Sequence, residues 1–142
     1  MGEIMKFKEK RKKLYLEIFD HPIEMIFSND TCRTFHKQAA KDEWTNNQHG
    51  PFIAMHICFG NKSTLIFPYD ATPDVIAHEC FHIVFRLFVE IGAEFNNEIM
   101  AYLLGYLVLE AHKLKNRKKK SKKGLTAPKG HDSLVMIEEE RA

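Results

Sequence analysis

His78-Glu79-Cys80-Phe81-His82 sets two imidazoles four residues apart with a carboxylate between them. On a helix, residues four apart lie about one turn apart on the same face, so both rings can reach one metal ion. Neutral imidazole is a natural zinc ligand, and a glutamate beside a metal-held water can take its proton. The stretch therefore offers two ligands, His78 and His82, and a general base, Glu79. Cys80 is two residues from each histidine, faces the other way, and is not expected to ligate.

A catalytic zinc site normally takes three protein ligands, so the neighbouring elements have to supply one. The motif helix has a clear start: Thr72 caps it, Pro73 suits the first helical position, and Asp74 favours the positive end of the dipole. No breaker follows until Gly92, a good helix stop. A second helix is expected over residues 93–112, where Ala101 and Gly105 are small and four apart and would let another helix approach. Glu98 shares that face, one turn before Tyr102, and is the preferred third ligand; Glu94, one turn earlier, is the fallback. Tyr102 or Tyr106 could donate a hydrogen bond to an oxyanion, although aromatics at helical spacing also serve as core. Phe81, Phe85 and Phe88 read as core, and His56 and His112 as structural or exposed.

Upstream, residues 14–19 and 22–27 are strand-like, with Asp20-His21-Pro22 as the turn of a first hairpin. Asn29-Asp30-Thr31 supplies caps for a helix over 32–44, with Phe35, Ala39 and Ala40 at helical spacing for packing on one face of the sheet. Residues 45–51 read as loop. Residues 52–59 and 64–67 form a second hairpin around Gly60-Asn61-Lys62-Ser63. The expected fold class is α+β, with an antiparallel or mixed sheet of about four strands packed with a helix, then the motif helix and the glutamate helix.

The 142 residues, 44% of them hydrophobic, suffice for one domain with a core and are too short for two comfortable ones. Net charge is segregated: the first 13 residues carry six basic side chains against two acidic, residues 14–112 carry five against thirteen, and residues 113–142 carry ten against four. An acidic middle suits a cation site. The domain is expected over 1–112, followed by a basic, disordered tail over 113–142. Within that tail, residues 113–123 hold eight Lys or Arg, a run that suits either a solvated tail or nucleic-acid contact. Three cysteines without C-x-x-C spacing argue against a disulfide framework. The charged N-terminus reads as neither a secretory nor a lipidation signal, and no apolar run approaches a membrane span. A soluble, cytoplasmic protein is the expectation; the oligomeric state is not legible.

With His78-Glu79-Cys80-Phe81-His82 followed by Asn97-Glu98-Ile99-Met100-Ala101-Tyr102, roughly residues 50–112 resemble the gluzincin metallopeptidases. The run at 101–107 looks most like small zincin-like proteins of bacteriophages, which would place the chain in a host cytoplasm. The resemblance implies zinc, Glu98 as third ligand, and hydrolysis of peptide bonds in an intracellular protein. It also implies a substrate strand paired with 52–59 or 64–67. At 142 residues the sequence is short for the family, and no substrate-binding subdomain is expected within it. Two other functions fit the same residues: a catalytically silent, zinc-stabilised interaction module, and a nucleic-acid-associated protein with a structural metal.

Overall fold

A computed structural model describes residues 6–44, 54–90, 96–118 and 135–138. Strands β1 (Glu9–Leu16) and β2 (His21–Ser28) are followed by helix α1 (Thr31–Lys41), strands β3 (Met55–Phe59) and β4 (Lys62–Pro68), helices α2 (Pro73–Glu90) and α3 (Asn97–Lys115), and strand β5 (Val135–Glu138). The sheet order is β3-β4-β2-β1-β5. Pairing is antiparallel except between β2 and β4, which run parallel from Ile23 opposite Ser63 to Ser28 opposite Pro68. The fold is therefore α+β with a mixed sheet, as the sequence implies.

Side-chain alternation divides the sheet into two faces. Leu14, Leu16, Ile23, Met25, Phe27, Leu65 and Phe67 pack against α2 and α3. Ile26 and Ile66, on the other face, meet Phe35 and Ala39 of α1 together with Trp44. Ala40, expected beside them, is exposed, and Thr34 and Gln38 are buried instead. They are polar because that face holds charge. Glu24 is fully buried and accepts hydrogen bonds from Arg11 (3.0 Å), Lys62 (3.1 Å) and Gln38 (2.9 Å). Burial alone would raise its pKa, but hydrogen bonds and charge from Lys62 and Arg11 outweigh it and hold the carboxyl below its ordinary range.

The first hairpin begins earlier than its apolar residues suggest. Strand β1 includes Glu9, Arg11 and Lys12, because each finds a partner: Arg11 the Glu24 carboxylate, and Lys12 the buried Glu110 of α3 at 2.5 Å. Residues Glu17–Phe19, read as strand, form a 3-10 turn that closes on Asp20 at φ 48°. Among the described residues the sheet has five strands rather than four, because Val135–Glu138 adds to the other edge of β1, from Leu16 opposite Val135 to Lys13 opposite Glu138. That segment of the expected disordered tail is thus paired backbone. The boundary expected at residue 112 falls inside α3, which continues to Lys115. There Lys10 donates to the Lys115 carbonyl at 2.7 Å, and Lys115 Nζ to the Ala71 carbonyl at 2.6 Å. Part of the basic run is therefore structural; residues 119–123 lie outside the described residues. Among the described residues, no helix is long and apolar enough to cross a membrane.

Side chains on both long helices point differently from what their spacing suggests. Of the three phenylalanines assigned to the core, only Phe88 is buried; Phe81 and Phe85 are each 45% exposed. The buried stripe of α2 is Ile76, Cys80, Ile83, Val84, Leu87 and Phe88, and it turns residues 81 and 85 outward. On α3 the inward stripe is Leu103, Leu107, Glu110, Ala111 and Leu114, so Ala101 and Gly105 face solvent rather than α2. A side chain at Gly105 would meet nothing within 4 Å.

Phe88→Ala should cost about 3–5 kcal/mol and Phe85→Ser less than about 0.5 kcal/mol in urea unfolding; equal losses would show that the outer face of α2 is not solvent-facing. Acid should weaken the fold through His21, which is buried and bonded to Ser63 Oγ at 2.7 Å. Burial lowers its pKa, against a smaller opposing pull from Glu90. The stability from keeping it neutral is full above the ordinary histidine value of about 6.5 and is lost as pH falls through the lower folded-state value. The Tm should drop from pH 7.5 to 5.5, and drop less in His21→Gln; an identical drop would assign the effect elsewhere.

Candidate metal and catalytic site

The motif lies in the middle of α2, where the sequence places it. Thr72 opens the helix, its carbonyl accepting the Ile76 N–H at 3.1 Å. The Thr72 side chain hydrogen-bonds Asp74, the largest reason that carboxyl is held below its usual range. Helical geometry then decides the exposure of each motif residue. Cys80 is fully buried, and burial pushes its thiol up to about 12; as expected, it faces away from the histidines. His78 is exposed, while Glu79 and His82 are partly covered.

The two histidines converge. His78 Nε2 and His82 Nε2 are 3.1 Å apart, with the rings edge to face. Two zinc–nitrogen bonds at tetrahedral geometry need a nitrogen separation of about 3.3 Å. The observed separation is close to that value, and it is also a hydrogen-bond distance at which one ring's N–H donates to the other ring's nitrogen. Burial lowers the pKa of His82, and the charges of His56 and His78 lower it further against the opposing pull of Glu79. A neutral ring is the form that ligates.

A residue dismissed from the sequence completes the near surroundings. His56 is on β3, and its ring stacks on His82 with centroids 4.2 Å apart and planes 14° apart. Its Nδ1 lies 2.7 Å from Glu79 Oε2. A carboxylate can only accept, so Nδ1–H donates. The signal for this contact was the alternation of β3, which sends His56 and Cys58 to the face of the sheet that α2 covers.

The expected third ligand is not gathered with them. Glu98 is exposed in the first turn of α3, and Tyr102, one turn on, is 60% exposed. Tyr106 is half-buried against the core. The reason is the level at which the helices meet. Lys115 reaches Ala71 at the start of α2, so α3 runs back along α2, and its first turn lies beside the end of α2. His82 precedes that end, Glu90, by eight residues, about 12 Å of helix. Among the described residues, no three His, Cys, Asp or Glu side chains form a group able to hold a metal. Glu94 lies outside the described residues.

Strand β3 is the edge of the sheet and β4 is internal, which separates the two strands left open by the sequence. Comparison with protein families, with characterised proteins and with solved structures finds no match for this chain.

If the histidine pair holds zinc, calorimetric titration should show one ion per chain, and His78→Ala or His82→Ala should weaken it more than about 100-fold, beyond the 10–100-fold typical of outer partners. A comparable loss in Glu98→Ala or Glu94→Ala would name the third donor; no loss in either would exclude both.

Proposed function

We propose that this chain is a zinc-dependent peptidase of gluzincin type, and the observation that carries the reading is the convergent His78–His82 pair with the Glu79 carboxylate beside it, next to an open edge strand. His78 and His82 would hold the ion; among the described residues no third protein donor is gathered with them. When bound, zinc supplies a Lewis acid that activates water at neutral pH and polarises a carbonyl. Glu79 would accept the proton of the attacking water and return it to the departing amine. The depressed pKa of His82 keeps its ring neutral and its lone pair available. An extended peptide can pair with the edge of β3, gaining main-chain hydrogen bonds that hold the scissile bond over α2.

Incubation with casein and with a quenched-fluorescence peptide library, read by mass spectrometry, tests this reading. The zinc-loaded protein should cleave at defined bonds, and Glu79→Gln should keep the metal while losing at least about 100-fold in rate. Full activity in Glu79→Gln would remove Glu79 as the base, and no cleavage by the wild type would remove the peptidase reading.

A further inference from the structure

We propose that His56 is a positioning residue for Glu79, fixing which carboxylate oxygen of the base faces the reaction; this rests on the hydrolytic reading above. Three features of the fold converge on it. Strand β3 lies beside α2, and its alternation turns the His56 side chain toward that helix. The inward stripe of α2 leaves Glu79 on its β3 side, with only 12% of its side chain exposed. The 2.7 Å bond then occupies Oε2, leaving Oε1 as the oxygen that can receive a proton. Stacking on His82 restrains the imidazole plane, so the donor is held rather than free to rotate.

A glutamate without such a partner would spread over several rotamers, and only some of them place an oxygen toward the histidine nitrogens. His56 therefore links the base to the strand on which a peptide would pair. The contact needs Nδ1–H, whereas free imidazole favours the proton on Nε2. The bond to Glu79 sets the tautomer.

Two variants separate positioning from packing. His56→Phe keeps a ring to stack on His82 and loses the donor; His56→Asn keeps an N–H close to the Nδ1 position and loses the ring. With a casein-derived peptide as probe, His56→Phe should lower kcat by about 10–100-fold, the range seen for orienting partners, with KM within about twofold and zinc stoichiometry unchanged. His56→Asn should recover most of that kcat. A long-range 1H–15N spectrum of the full chain gives a readout independent of activity: His56 should carry its proton on Nδ1, and Glu79→Ala should shift it to Nε2. A wild-type His56 protonated on Nε2 alone would overturn the proposal, as would wild-type kcat in His56→Phe or loss of zinc from it. An intact Nδ1–H signal in a protein that cleaves nothing would support the pairing and overturn the hydrolytic reading instead.

Discussion

The rotation of α2 about its own axis is the constraint on which the site depends. Six buried side chains, from Ile76 to Phe88, fix it against the sheet and α3. Each fully buried aliphatic or aromatic among them contributes on the order of 1.5–3 kcal/mol, so turning the helix by one residue would give up several at once. With the stripe inward, positions 78 and 82 turn to the outside and position 79 toward β3. The same packing that stabilises the helix thus distributes the polar side chains: the imidazoles of His78 and His82 away from the core, the Glu79 carboxylate toward a strand whose His56 bonds it.

Charge does structural work in the rest of the fold. Strand β1 is a strand despite its polar sequence because its basic residues are matched across the sheet faces by Glu24 on one side and Glu110 on the other. Such buried pairs give little net stability, since desolvation offsets their attraction, but an unmatched partner is costly. Their effect is on register. Sliding β1 by one residue would move Arg11 away from Glu24 and Lys12 away from Glu110 onto the wrong faces. The Lys115 contact with the Ala71 carbonyl acts in the same way at the helical layer, fixing the level at which α3 passes α2.

What could be read from the sequence was what local chemistry decides. The start of α2 at Pro73, the Asp30 cap, the inward direction of Cys80 and the turn at Gly60 all follow from residues within a few positions of one another. The parallel pairing of β2 with β4, the addition of Val135–Glu138 to β1, and the rotation of α3 depend on partners far along the chain. For α3 the small residues Ala101 and Gly105 suggested a contact face, but burial of Leu103, Leu107 and Leu114 outweighs whatever close approach they offer. His56 was missed for a related reason. The alternation of β3 gives the face His56 takes but not its partner, which is 23 residues away on another element.

The backbone and side-chain groups of strand β3 point in directions that do not interfere. Its backbone N–H and C=O groups lie in the plane of the sheet, and among the described residues those on its outer side meet no further strand. Its side chains stand perpendicular to that plane, and His56 uses one of those directions to reach Glu79. A peptide pairing along the edge would therefore not displace the His56 bond, and the bond would not block the edge. An unprotected edge is ordinarily a hazard of aggregation, which proteins limit by keeping such strands short. At five residues β3 is short, long enough for a few pairing hydrogen bonds beside Glu79 and too short to template an extended sheet.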